Sequence, residues 1–431
     1  MSGAIDSAPA VEGNERLLVG AGLLLLVVAP FILGPFQTGL LAEVLIFGIF
    51  ATAFNLLYGY TGLLSFGHGM FFAVAGYTMA KTVQTVGPML GFGELFGGAS
   101  VLATWLFGLV LAILVTVLVA MAIGYLAVQL EEIYFAMITL SFTMAIYAIA
   151  NQDIIGTLLE FLGMGNGTFT NGSDGLTFTL GEVDLFGFTF TLVDIADPFA
   201  YYFFTIAIFA VTMYLLYRIV KSPFGTVCKA IRENPERASA LALNITRHSW
   251  VTFVLSGGFS GLAGGLLIPL FTNVTPRYAY WAFSAEPVLM TVIGGPYSFF
   301  GPLVGAFSYR YLRWFISRFE MLEAYWQFSF GLLLLLVVLF VANGVIGAPT
   351  HPRTPPVPRA SKLAPRDPPT VHAIPPAAQR VDLRALPRVR STTLRYRRAT
   401  QFPPARLPPP PCTITRRSLS PTQLAALLAA P

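Results

Sequence analysis

Charge is what this chain has least of. Of 431 residues, 11% are Asp, Glu, Lys or Arg, against 55% apolar and 14% aromatic, whereas soluble domains carry about 25% charge. That scarcity excludes an ordinary soluble globular protein and places the chain among membrane proteins. Cysteine is equally sparse: Cys228 and Cys412 lie far apart, which excludes a disulfide framework and a cysteine metal site. Four histidines, two of them beyond residue 348, are too few and too scattered for a membrane-embedded enzyme. No G-x-x-x-x-G-K-[ST] motif occurs, so the chain lacks the phosphate-binding loop with which to power itself. Acids are nearly missing from the middle of the apolar runs. A self-contained secondary transporter would use paired carboxylates or a charge relay there, so that class is disfavoured.

What the chain does have is long apolar runs. Crossing the hydrocarbon takes about 20 apolar residues. Candidate spans are Leu17–Phe36, Leu40–Tyr58, Leu63–Ala80, Leu102–Val128, Tyr134–Ile155, Phe199–Tyr217 and Ser249–Phe271. A short stretch, Pro287–Ile293, comes next, then Pro302–Phe319 and Trp326–Val341. The first run is too long for a cleaved signal peptide and lacks a small-x-small exit. The expected fold is all-α: a polytopic membrane domain over residues 17–347, with about ten transmembrane helices, some broken or re-entrant, after a segment 1–16. Gly294, Gly295 and Pro296 make the eighth span a broken helix; a re-entrant path there leaves nine spans.

The basic residues are unevenly spread. Residues 1–348 carry 12 Lys/Arg and 19 Asp/Glu, whereas residues 349–431 carry 14 and 2, with 19 of the 31 prolines. That last stretch has no apolar period and cannot bury enough surface to offset the entropy of ordering. Residues 348–431 therefore read as a disordered Pro/Arg-rich tail. It is either a polybasic segment for anionic membrane lipid or the translation of a shifted frame in GC-rich DNA, and the DNA past codon 347 separates the two.

Charge also orients the spans. Half of the basic residues before the tail fall in residues 218–247: Arg218, Lys221, Lys229, Arg232, Arg237 and Arg247. Residues 151–198 hold no Lys or Arg and seven acids. Basic loops stay inside, which places 218–247 in the cytoplasm, 151–198 outside and the N-terminus inside. Arg310, Arg313 and Arg318 fit this scheme less cleanly. Glu43 and Glu286 are expected near the outer surface as unremarkable interfacial acids.

Two segments carry chemistry. In 218–247, Ser222–Pro223–Phe224–Gly225 breaks the incoming helix, and Gly225 to Glu233 can form a short one. Its expected sides are Val227, Ala230 and Ile231 against Lys229, Arg232 and Glu233. Asn234–Pro235 ends it, because a residue before proline is pushed out of the α region. The same pair starts a second helix, Asn234 as N-cap and Pro235 as first residue, with Glu236 in the first turn, where the helix dipole favours an anion. Asn244 is the expected stop. The second segment, residues 59–69, combines Gly59, Gly62, Gly67 and Gly69 with Ser65 and His68. Small residues permit close packing and a local break at membrane depth. Either Asn55, Gly62, Ser65, Gly67, His68 and Gly69 line a translocation pathway, or the glycines make a tight crossing with His68 bonded to a neighbour. Cys228 is expected to act as a small apolar residue.

The stretch AIRENPERASALALNITR resembles the cytoplasmic coupling loop of ABC-importer permeases, specifically the LivM-type branched-chain amino-acid permeases. NLLYGYTGLLSFGHGMFFAVAGYTMA (55–80), TNGSDGL (170–176), SGGFSGLAGGLL (256–267) and LMTVIGGPYSFFGPLVGA (289–306) agree in order. The resemblance implies a type II ABC-importer permease fold and a subunit that imports branched-chain amino acids without being an enzyme. Implied partners are a second permease subunit, two cytoplasmic ATPase subunits holding ATP-Mg, and an extracytoplasmic substrate-binding protein. No cofactor, metal or nucleic acid is implied for this chain. The coupling residues would be Lys229, Ala230, Ile231, Arg232, Glu233, Asn234, Pro235, Glu236, Arg237, Ala238 and Leu241. A urea or short-chain amide permease carries similar motifs. Two departures bear on local backbone: Ala242 stands where the family has glycine, and Gly294–Gly295–Pro296–Tyr297–Ser298 replaces the family's GG-x-G-S/T.

Overall fold

The apolar runs become helices, and proline and glycine set where many of them begin or stop. In a computed structural model the chain is described over residues 10–163, 168–178, 182–185, 188–191 and 198–319, with Phe328, Gly331 and Leu332 besides. Chain contacts divide it into two units, Met1–Pro356 and Val357–Pro431. The second unit lies outside the described residues, as do the tail from 348 and nearly all of the expected span Trp326–Val341.

Helix α1 runs Ala10–Ile32, and Pro35 opens α2 (Pro35–Thr61) at a position where its missing N–H is no loss. Residues 62–67 are not helical, so α3 begins only at His68 and ends at Lys81. Then come α4 (Ser100–Ala127), α5 (Glu132–Asn151) and the short α6 (Ile154–Phe161). Helix α7 spans Phe199–Lys221. The expected pair of short helices is present as α8 (Pro223–Glu233) and α9 (Pro235–Ala240). Helices α10 (Ile245–Phe271), α11 (Trp281–Gly294) and α12 (Gly301–Ile316) complete the described bundle.

Five described helices are long and apolar enough to cross a membrane: Pro35–Thr61, Gly97–Ala127, Glu132–Asn151, Phe199–Lys221 and Ile245–Phe271. Among the described residues the other helices fall short of that criterion: α3 and α11 have 14 residues and α12 has 16, while only Gly20–Ile32 of α1 counts toward it. The spans differ in surroundings. In α2, 89% of the apolar window is buried inside the protein, and in α10 78%, whereas in α5 only 22% is. Helices α2 and α10 are therefore the axis of the bundle. Helices α4 and α5 leave apolar side chains such as Leu114, Leu118, Ile133 and Met137 exposed, the surface a lipid-facing helix needs.

The described parts of the polar loop after α5 are ordered by local contacts. Asp153 caps α6, and its carboxylate accepts from the N–H groups of Phe169 and Thr170, each at 2.8 Å. This pins the TNGSDGL turn against α5. Strand β1 (Leu176–Thr177) then pairs antiparallel with β4 (Asn273–Val274) beyond the end of α10, while β2 (Glu182–Leu185) pairs with β3 (Phe188–Thr191).

Helices α11 and α12 form an antiparallel hairpin broken at Gly295, where φ is +104°. They cross closely at glycines: a Cβ on Gly294 would strike the Gly301 carbonyl, and one on Gly305 the Met290 carbonyl. The break lies against the C-terminal end of α2 and against α8. The other ends of α11 and α12, with Arg310, Arg313 and Arg318, therefore point away from the basic loop. That explains why these arginines sit awkwardly in a scheme where positive charge marks one side. Arg310 is neutralised by an ion pair with Glu43, and Arg313 faces Glu286 at 3.7 Å. The sequence placed Glu43 and Glu286 near the outer surface without partners; in the structure each side chain is 15% exposed and ion-paired among α2, α11 and α12.

Candidate functional site

The site has two layers: a polar surface made by α8 and α9, and the broken helices behind it. The corner between α8 and α9 is made locally. Asn234 is extended, and its Oδ1 accepts from the Arg237 N–H at 2.9 Å, the N-cap geometry that its chemistry predicts. Asn244, expected as a stop, instead caps α10 by accepting from the Arg247 N–H at 2.9 Å. Ala242 is where the chain turns: its φ is +59°, the left-handed conformation that glycine adopts without strain. Ala242 therefore takes this conformation with a Cβ, at the position where the resemblance led glycine to be expected.

The eleven expected coupling residues divide by direction. Lys229, Glu233, Pro235, Glu236, Arg237 and Leu241 are exposed. Ile231 and Ala238 are buried, and Ala230 and Asn234 are half-buried. The buried side of α8 is formed by Gly225, Cys228 and Ile231, with Cys228 Sγ 3.3 Å from Thr252 Oγ1 on α10. Arg232 is a correction to the helical reading, which grouped it with the outward charges. It is half-buried, donates from its guanidinium to the Gly59 carbonyl of α2, and lies 5.1 Å from the ring of Tyr297. Lys229, though exposed, lies 5.5 Å from the ring of Tyr60.

Behind this surface the glycine-rich segment is enclosed. Gly62 ends α2 with φ +86° and packs on Arg232. Ser65 Oγ accepts from the Gly67 N–H at 3.2 Å, and the Phe66 N–H donates to Thr139 Oγ1 on α5 at 3.3 Å. The Gly69 N–H donates to Ser284 Oγ on α11 at 2.9 Å. Asn55 Nδ2 reaches the Ser298 carbonyl at 3.5 Å, and its Oδ1 has no partner. Asn55, Ser65 and His68 are each 0% exposed, so in this conformation they brace α2, α3 and their neighbours and meet no open space.

His68 shows how. Its Nε2 lies 2.7 Å from Ser256 Oγ, which itself donates to the Ala53 carbonyl at 2.6 Å. A serine hydroxyl has one hydrogen, so His68 Nε2 must donate and Ser256 must accept. Nδ1 has no partner, and Phe54 and Phe71 stand edge-on to the ring at 5.0 and 5.8 Å. A second ring proton would be a buried unsatisfied donor. The arrangement joins α2, α3 and α10 through one histidine.

A multi-pass helical bundle with one folded polar loop and broken helices at its axis is the architecture of a membrane permease subunit. Residues 37–338 match the family model described as branched-chain amino acid transport system / permease component. The chain belongs to that family. It is 24% identical over 359 residues to the high-affinity branched-chain amino acid transport system permease protein LivM of Salmonella typhimurium (strain LT2), covering 78% of this chain and 77% of the relative. LivM of Escherichia coli (strain K12) has the same identity and coverage. The permease protein LivH of Salmonella typhimurium is 22% identical over 316 residues, 70% of this chain and 92% of that one. No solved structure gives a significant match.

Proposed function

We propose that this chain is the membrane subunit of an ATP-driven importer of branched-chain amino acids. It works beside a second permease subunit, takes cargo from an extracytoplasmic binding protein, and is driven by two cytoplasmic ATPase subunits that hold the ATP and magnesium. The names of the LivM and LivH relatives support the cargo and the second permease. One observation supports the drive: α8 and α9 hold their outward side chains on a rigid corner. Lys229, Glu233, Glu236 and Arg237 are exposed on these two helices, and Leu241, which follows them, is a leucine 75% exposed. An exposed apolar side chain among exposed charges is the composition of a docking surface, an apolar anchor with a polar rim. A cytoplasmic docking surface puts the N-terminus in the cytoplasm as well.

The translocation pathway is assigned to the break at 62–67 with Asn55, Ser65, His68 and Gly69 beside it, and to the break at Gly294–Gly295–Pro296. Support comes from backbone. Irregular chain at membrane depth is tolerated where protein or water satisfies it, and here Thr139, Ser65 and Ser284 accept from the Phe66, Gly67 and Gly69 N–H groups. Opening would need the two breaks to part. The test of the drive is Glu236→Ala with Arg237→Ala, measured as substrate-stimulated ATP hydrolysis in the assembled complex. We expect at least a tenfold loss of stimulation. Full stimulation in an intact complex would sink the docking assignment.

A further inference from the structure

Every exposed coupling side chain faces out, but the one guanidinium in α8 faces in. Its position is specific in three ways. It donates to the carbonyl of Gly59, one of the last four carbonyls of α2, which the helix cannot satisfy itself. A cation there also meets the negative end of the helix dipole. Its carbon lies 5.1 Å from the ring of Tyr297, which directly follows Gly294–Gly295–Pro296. Its aliphatic stem lies on Gly62, where a Cβ would come 3.1 Å from Arg232 Cγ. The two breaks are also fastened to each other: a Cβ on Gly59 would strike the Pro296 carbonyl, and Asn55 Nδ2 reaches the Ser298 carbonyl at 3.5 Å.

We infer that Arg232 is a positioning residue that fastens α8 to both broken helices at once, so that a displacement of the polar surface is passed to the end of α2 and to the α11–α12 break together. It is not a contact of the soluble partner. The inference rests on the coupling role proposed for α8 and α9 and names the route inward from that surface. A guanidinium suits the task because its plane can donate at its edge while its face stacks on a ring; an ammonium is a point charge and cannot do both. No carboxylate of the described residues forms an ion pair with Arg232, so the link can be released without leaving an opposite charge stranded.

The test uses the full complex in proteoliposomes, with Arg232→Gln, Arg232→Lys, Tyr297→Ala and Tyr297→Phe. Amino acid transported per ATP hydrolysed should fall at least fivefold in the first three and stay near wild type in Tyr297→Phe, which keeps the ring. ATPase subunits should co-purify with all four. Loss of those subunits from Arg232→Gln would make Arg232 a docking contact and overturn the inference, as would an unchanged transport-to-ATP ratio in Arg232→Gln and Tyr297→Ala. A second measurement needs this chain alone: hydrogen–deuterium exchange. In Arg232→Gln, exchange should rise at both 57–67 and 295–300, and unchanged exchange at either segment overturns the inference. If the wild-type chain retains no ATPase subunits, the coupling role itself falls, and the exchange result still decides whether Arg232 fastens the breaks.

Discussion

Two arginines stand near opposite ends of α2 and are held in opposite ways. Arg310 is enclosed, paired with Glu43, and lies 3.9 Å from the centre of the Phe47 ring. Arg232 is half-buried and has a carbonyl and a ring but no carboxylate among the described residues. Their anchor points, Glu43 and Gly59, lie 16 residues apart on one helix, roughly 24 Å along its axis. An ion pair shut away from water resists opening, because parting it leaves two uncompensated charges where solvation is poor. A carbonyl and a ring face can be traded for water at little loss. The Glu43 end of the bundle is the costlier to part, and the end beside the polar loop the less costly.

The contrast can be broken by removing one partner. Glu43→Gln strands the Arg310 guanidinium in the bundle and should cost about 3–5 kcal/mol, read as a fall in the melting temperature of the purified protein. Glu43→Leu with Arg310→Met should recover most of that loss, since an apolar pair of similar volume needs no desolvation. The stability cost of Arg232→Gln should be smaller than that of Glu43→Gln. Equal losses at both ends would remove the distinction. Between them lies the His68 brace. Ser256→Ala leaves the Nε2–H without its acceptor and should cost about 1–3 kcal/mol, with increased exchange where α2, α3 and α10 meet.

The smallest effect belongs to the outer loop. Burial raises the Asp153 carboxyl, but the hydrogen bonds from Thr170, Phe169 and Gly156 outweigh it and hold the group below its usual value of 3.8. A carboxyl depressed on folding contributes stability that is fully present above its unfolded value and is lost as pH falls through its folded one. Protection of residues 168–178 should thus be flat from neutral pH down to about pH 5 and drop only below about pH 4. Asp153→Asn should lower protection and abolish that acid step. A step between pH 7 and 5 would assign the loop's order to another group.

The parts legible in advance were those with local causes. The Asn234–Pro235 corner could be read because proline geometry and an N-cap are settled within four residues. The same chemistry misled at Asn244, since asparagine suits either the end of one helix or the start of the next, and only the turn at Ala242 decided between them. Arg232 was grouped with the outward charges because a helical wheel knows residue type but not what faces it. Glu43 and Glu286 could not be given partners in advance because Arg310 and Arg313 lie in another helix. For His68 the sequence could not name its neighbours Ser256 and Ala53, which come from α10 and α2.

By itself the sequence determined that this is a helical membrane protein, where most of its helices run, and that one polar loop folds into two short helices. Those outcomes depend on apolar run length, on proline and on capping, all of which act between near neighbours. Which cation is locked and which is releasable was decided only by the tertiary structure. A charge's environment is set by what lies across from it, and across from Arg232 and Arg310 lie residues that only the packing of α2 brings within reach.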